Sequence, residues 1–329
     1  MLDSKEQELV LKEERKQLDI KSNIGEYLQR FGIFIALFIM CAYLSIASPH
    51  FLTGSNLANV LLQSSINAIL ALGVTFVIIS GGIDLSLGSV LALSGVVMGV
   101  ILKNSGNIPI AIIAALLIGV LCGFTNGIFI TRLNLPPFIA TLGMMSIARG
   151  LALVITQGYP ISGLPEPIRF IGGGKILGIS TPVVIVAVMF IISHIILTQT
   201  KLGRYDYAIG GNEEAAKLSG VNVKKYKVIL YSIAGFFSGV AGIVLAARVN
   251  SALAIAGMGY ELDAIAAAVI GGVSQAGGEG TVAGTILGAI VMGVLRNGLN
   301  LLDVSTYWQQ VVIGIVLVGA VSLDQLKRR

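Results

Sequence analysis

Apolar positions along the 329-residue chain gather into runs separated by short polar breaks. The runs cover roughly 31–47, 57–80, 85–102, 108–130, 137–156, 182–198, 228–248, 263–273, 281–298 and 306–323. Most approach the ~20 residues that an α-helix needs to cross a bilayer. The pattern predicts an all-α, polytopic integral membrane protein with about ten membrane segments. The run at 263–273 is too short to cross, and Gln275, Gly277, Gly278, Glu279 and Gly280 follow it. It predicts a broken or re-entrant helix, tolerable only where protein or a water-filled cavity satisfies the backbone.

Proline and glycine refine this map. Pro49, Pro160, Pro165 and Pro167 read as loop residues, whereas Pro109, Pro136, Pro137 and Pro182 stand at run starts, where a missing N–H costs little. Glycine penetrates the runs. Gly119, Gly123 and Gly127 recur every four residues, as do Gly280, Gly284 and Gly288, so each set occupies one helix face and predicts close helix contact. A weak internal repeat also shows. Gly81-Gly82 precedes polar residues and an apolar run ending Met98-Gly99-Val100, and Gly271-Gly272 precedes a polar stretch and a run ending Met292-Gly293-Val294. Interrupted helices in matching positions tend to border a transport pathway.

Composition agrees with lipid as the main solvent. Only 12% of residues are charged, about half the ~25% of a soluble domain. Cys41 and Cys122 lie in apolar runs and read as small hydrophobes rather than a disulfide. The net charge of +5 raises the question of nucleic acid, but the positions of the basic residues answer it. With ten crossings and the N-terminus inside, sixteen of the 22 Lys and Arg fall on the cytoplasmic side, a strong positive-inside bias. The expected organisation is a polar cytoplasmic N-tail (1–30), a membrane domain (31–325) and a basic cytoplasmic C-tail (326–329). The N-tail mixes acidic and basic side chains ahead of the first apolar run, the wrong order for an export signal.

Catalytic patterns are missing. The chain has no phosphate-binding Gly-x-x-x-x-Gly-Lys-Ser/Thr and no Gly-x-Ser-x-Gly, and its two histidines, His50 and His194, lie far apart. No catalytic residue, metal ligand or bound cofactor is expected. Polar side chains inside apolar sequence are the candidates instead, because such groups are costly in lipid. Asp84 and Ser86 sit at the Gly81-Gly82 break, and Glu261 and Asp263 precede the apolar residues that start at Ala264. Asn67, Asn297 and Gln309 complete the set proposed for a translocation pathway. Each has a plainer reading. Asp84 and Asp263 suit helix N-caps, and the amides suit interhelix hydrogen bonds.

The loop 199–227 carries Asn212-Glu213-Glu214-Ala215-Ala216-Lys217-Leu218-Ser219-Gly220, a short helix with small residues on one side and a glycine stop. Such a helix either inserts into a partner groove or simply connects two spans. This segment resembles the coupling loop of ATP-binding-cassette importer permeases. The sequences at 202–223, 80–89, 136–150, 259–272, 277–289 and 296–312 are similar to the monosaccharide branch of that family, most of all to its ribose-importing members.

The resemblance implies a pore of two permease copies, a cytoplasmic ATPase that holds ATP and Mg, and an extracytoplasmic sugar-binding protein. Asn212 to Gly220 would dock in the ATPase. Arg149, Arg248 and Arg296, near outer helix ends, would either pair with acids of the binding protein or snorkel to headgroups. The implied location is a bacterial cytoplasmic membrane, and the implied cargo an aldopentose, ribose first. Galactose, xylose, a nucleoside or a branched-chain amino acid stay as alternatives. An ion-driven transporter fits less well, because no buried proton relay is evident. Two departures stand out: no Ile-x-Leu-Pro follows Gly220, and the N-tail exceeds what the family needs.

Overall fold

A computed structural model describes residues 32–326; the polar N-tail and the basic residues at 327–329 lie outside them. The chain divides into two units, 1–47 and 48–329. The first contains α1 (Gly32–Ala47), an apolar helix in which the Ser45 hydroxyl donates to the Cys41 carbonyl.

The second unit contains α2 (Gly54–Ile79), α3 (Leu87–Ser105), α4 (Ile108–Arg132), α5 (Pro137–Thr156), α6 (Glu166–Gly173) and α7 (Thr181–Gln199). It continues with α8 (Lys201–Gly211), α9 (Glu213–Leu218), α10 (Val223–Val249), α11 (Tyr260–Ile270), α12 (Val282–Leu301) and α13 (Thr306–Leu326). The only strands among the described residues are two-residue pieces. β1 (Ile161–Ser162) pairs antiparallel with β4 (Ser251–Ala252), and β2 (Lys175–Ile176) with β3 (Ile179–Ser180).

Seven helices among the described residues are long and apolar enough to cross a membrane: α2, α3, α4, α5, α7, α10 and α12. The chain is thus a multi-pass, all-α membrane protein. Two other apolar runs form the shorter α1 and the stretch Thr306–Ser322 of α13. The 263–273 run forms α11, only 11 residues long.

Helix starts follow local chemistry. Thr53, Asn107, Thr200, Asn212, Asn222 and Thr281 each accept a backbone N–H of the first turn, the usual N-cap bond. Proline occupies the first turn of α4, α5, α6 and α7. Pro167 therefore belongs to a helix, α6, where the sequence predicts a loop. Helix α10 starts five residues before its apolar run, because Lys224, Lys225 and Lys227 hide its first turns from a hydropathy reading.

Helix α2 is the core. Every residue from Ser64 to Ile79 is buried, and Phe76 packs at 6.3 Å, centroid to centroid, on Phe237 of α10. The hydroxyls of Thr75 and Thr285 join α2 to α12 at 2.7 Å. Helices α4, α5 and α7 are apolar all round yet largely unburied, with Leu117, Leu121, Phe138, Val154 and Ile191 exposed. An uncovered apolar helix of that length faces lipid or another chain.

The glycine spacing settles which helices touch. A methyl group at Gly119, Gly123 or Gly127 of α4 would overlap the backbone of Gly235, Tyr231 or Val228 of α10. Methyls at Gly284 and Gly288 of α12 would overlap carbonyl oxygens of Gly271 and Ala267 beside α11. The four-residue periodicity predicted close contact on both faces, except that Gly280 lies in the loop before α12, at φ +147°, and not on its face. Backbone meets backbone there, where hydrocarbon solvent gives helices no other strong reason to associate.

Candidate functional site

The polar candidates separate into three places. The first lies between α2, α11 and α12. Gly259, in left-handed conformation, caps α11, so Asp263 falls inside the first turn and not at the N-cap the sequence predicts. Its carboxylate is buried and accepts from the Arg296 guanidinium of α12 and from the Asn67 amide of α2 at 3.4 Å. Next to Arg296, Asn297 exchanges two amide hydrogen bonds with Asn56 at 2.8 and 3.0 Å. Glu261 lies one turn before Ile265 on α11; its Oε1 accepts the Gly259 N–H at 3.2 Å, and its other oxygen packs against Gly88.

This cluster keeps hydrogen-bonding capacity in reserve. Among the described residues, Asn67 Oδ1, Asp263 Oδ1 and Arg296 Nε are buried without a partner. Orphaned buried polar atoms are unusual in a native fold and call for a reason. Acceptors and a donor in one place can meet hydroxyl groups, each of which donates and accepts.

The second place is the break between α2 and α3. Gly81 takes φ +78°, which favours glycine. Asp84 is buried and accepts the Ser86 N–H at 2.8 Å and the Ser86 hydroxyl at 2.6 Å. Asn126 of α4 donates to the Ser86 hydroxyl at 3.0 Å, and Tyr231 of α10 donates to the Ile83 carbonyl at 3.3 Å. Ser86 is the N-cap residue, so Asp84 organises the turn from two residues upstream. Asn67 and Ile79 are 12 positions apart on α2, or ~18 Å along the axis, yet Glu261 packs against Gly88, two residues after Ser86, so the two clusters approach each other there. Gln309 stands in a third place, the α12–α13 turn, where it donates to Asn300 and to the Val304 carbonyl.

The three arginines differ. Arg149 donates to the Ala254 and Ala256 carbonyls, and Arg296 pairs with Asp263, so both guanidinium groups are held within the chain. Arg248 lies in the last turn of α10. A cavity of about 250 Å³ opens between α2, α7 and α12, lined by residues including Leu61, Ala68, Val186, Phe190 and Ile286. Its Ser64 and Ser65 hydroxyls donate to their own helix, so the cavity holds almost no free polar groups. Among the described residues no three His, Cys, Asp or Glu side chains come together to hold a metal ion.

Helices α8 and α9 are short, polar and distinct from the spans. Asn212 ends α8 and caps α9, accepting the Ala215 N–H at 2.9 Å. Gly220, at φ +84°, turns the chain after Ser219. Glu213 binds Lys227 at 2.6 Å and Lys217 at 2.9 Å, and Ala216 packs with Ile209 and Val223. Burial raises the Glu213 carboxyl, but the two lysines outweigh it and hold the group below its ordinary value. The opposite side of α9 is open: Glu214 is 82% and Leu218 89% exposed.

Sequence reading missed Asn56, Tyr207 and Asp206. Neither oxygen of Asp206, fully buried in α8, has a hydrogen-bond partner among the described residues. Burial pushes this carboxyl well above the usual range. A signal was present: Gly203, Asp206 and Ile209 are three apart and so share one face of α8.

Sequence comparison places the chain. A family described as the permease component of branched-chain amino acid transport systems matches residues 56–321, and the chain belongs to it. The ribose import permease protein RbsC of Escherichia coli (strain K12) is 47% identical over 298 residues, covering 89% of this chain and 93% of that protein. RbsC of Bacillus subtilis (strain 168) is 46% identical over 302 residues, 91% and 94% of the two chains. The galactose/methyl galactoside import permease protein MglC of Escherichia coli (strain K12) is 38% identical over 328 residues, 93% and 97%. No solved structure matches.

Proposed function

We propose that this chain is the membrane-spanning subunit of an ATP-binding-cassette importer that carries D-ribose inward. The observation that carries the cargo is the 45–47% identity to ribose import permeases of three bacterial genera over about nine-tenths of the chain, against 38% to galactose and allose permeases. On this reading two copies form the pore, ATP and Mg bind a separate cytoplasmic ATPase, and an extracytoplasmic sugar-binding protein delivers the cargo. The chain itself does no hydrolysis. The membrane is the bacterial cytoplasmic membrane, with both termini inside, as the distribution of Lys and Arg supports.

The residues then take roles. Asn212 to Gly220 dock in the ATPase through the open side of α9, with Glu214 and Leu218 as its contacts and the Glu213–Lys227 pair holding α9 against α10. Asn67, Glu261, Asp263 and Asn297 line the path nearest the reserve acceptors, with Asp84 and Ser86 at its other end and Gln309 fixing the α12–α13 turn. Of the arginines, Arg248 is the one for the binding protein. The test is uptake of labelled ribose into vesicles holding this chain, with the ATPase and binding protein added or withheld. Saturable uptake only with both partners and ATP supports the proposal. ATP-dependent uptake of galactose instead would change the cargo alone, and uptake by this chain alone on an ion gradient would refute it.

A further inference from the structure

Two helix breaks and one polar helix meet at a single point. Helix α8 ends in Gly210-Gly211, the α2–α3 break begins at Gly81, and the α11–α12 break contains Gly277, Gly278 and Gly280. The Gly278 N–H donates to the Ile79 carbonyl at 2.8 Å, which ties the end of α2 to the second break. Tyr207 of α8 donates its hydroxyl to the Gly280 carbonyl at 2.7 Å. A methyl at Gly210 would overlap both the Ile79 carbonyl and the Gly278 nitrogen. One at Gly277 would stand 3.0 Å from the Gly81 Cα and 2.9 Å from the Gly210 carbonyl. Gly277, Gly278 and Gly280 have φ of +85°, +76° and +147°, so the loop shape itself needs glycine.

We propose that this backbone-on-backbone joint transmits displacement of α9 to both helix breaks at once, with Tyr207 and Gly210 as its positioning residues. The inference rests on the importer reading and deepens it. Asn212 ends α8 and caps α9, so the two short helices share one residue and move together. At the joint no flexible side chain stands between the three backbones to absorb a shift. Packed contacts of this kind switch between arrangements and do not stretch. From the joint, one break leads to Asp84, Ser86 and Asn126, and the other separates α11, with Asp263, from α12, with Arg296. The uncompensated Asp206 carboxyl marks the present seat of α8 as a costly one, as befits one of two positions.

The neighbouring glycine supplies a control, because a methyl at Gly211 meets nothing within 4 Å. The experiment measures ribose uptake and ATP hydrolysis in vesicles reconstituted with the ATPase and binding protein, for the unmodified chain, Gly211→Ala, Gly210→Ala and Tyr207→Phe. Hydrogen exchange at 277–280 and at Gly81–Gly82 is followed in the same proteins. Gly211→Ala sets the baseline. Tyr207→Phe loses one hydrogen bond, worth about threefold to tenfold; it should still assemble and hydrolyse ATP while uptake per ATP falls by about that factor. Exchange should rise at both glycine segments together. Gly210→Ala should lose more than tenfold in uptake per ATP. Tyr207→Phe with unchanged uptake per ATP and unchanged exchange would overturn the joint, even if Gly210→Ala fails to fold. If the unmodified chain shows no ATP-dependent uptake, the importer reading fails, and coupled exchange at the two segments still decides the joint.

Discussion

The Asp263–Arg296 pair should be energetically lopsided, and the structure says in which direction. Asp263 is buried, its side chain 1% exposed, whereas the Arg296 side chain is 32% exposed. Arg296→Met would leave a buried carboxylate with only the Asn67 amide at 3.4 Å. Losing one partner of a buried pair costs about 3–5 kcal/mol, and we take ~3 kcal/mol because Arg296 is partly wet. Asp263→Asn keeps an acceptor for Arg296 and leaves a cation able to reach water on its long stem, so we expect ~1 kcal/mol. The double variant removes both charges and should recover most of the loss, giving a coupling of about 1–3 kcal/mol. Thermal unfolding of the purified protein in detergent, with tryptophan fluorescence as readout, gives the order: Arg296→Met least stable, then the double variant, then Asp263→Asn. Equal single effects that add in the double variant would refute the argument, since two charges that do not feel each other cannot form this pair.

Three further outcomes follow from the same geometry. Gly123→Val puts a branched side chain where even a methyl overlaps the Tyr231 carbonyl, so α4 must separate from α10; the cost should exceed the ~1–3 kcal/mol typical of overpacking and appear as lost monodisperse protein on gel filtration. Asp206 binds its proton more tightly folded than unfolded, so its effect on stability is most favourable below the ordinary carboxylate range and worsens as pH rises toward its raised value; melting curves of Asp206→Asn should lose that slope. Leu218→Asp changes a side chain that is 89% exposed, so melting should move by less than ~0.5 kcal/mol while co-purification with the ATPase drops at least tenfold.

What could be read from the sequence was whatever depends on period and hydropathy. Seven of the ten apolar runs mark the helices among the described residues that are long enough to cross a membrane, the other three forming α1, α11 and α13, and four-residue glycine spacing named the faces of α4 and α12 that touch α10 and α11. The loop motif at 212–220 appears as the short helix α9 with its glycine stop. Pairings across long sequence separations were not legible. Asn56 and Asn297 lie 241 positions apart, and nothing local to either says which amide it meets. Arg149 and Arg296 looked like outward charges because hydropathy ranks their distance from a run's end, not whether a carboxylate or carbonyl waits beside them. Asp263 looked like a cap because the apolar run began after it, whereas Gly259 starts the helix and moves the carboxylate into the interior.

That displacement matters for how a solute could pass. With Asp263 inside the first turn of α11, the cluster joins three helices and keeps Asn67 Oδ1, Asp263 Oδ1 and Arg296 Nε buried without a partner among the described residues. The cavity between α2, α7 and α12 is lined almost entirely with hydrocarbon, so it gives a polar solute little to bind. On the proposed pathway, a solute reaches this cluster when α11 moves against α2 and α12. Helix α11 is only 11 residues long, with positive-φ glycines at both ends, Gly257 and Gly259 before it and Gly272 after it. The α4–α10 pair, packed backbone to backbone, can stay as it is while this short element shifts. The second of these ends leads directly into the 277–280 loop held by α8.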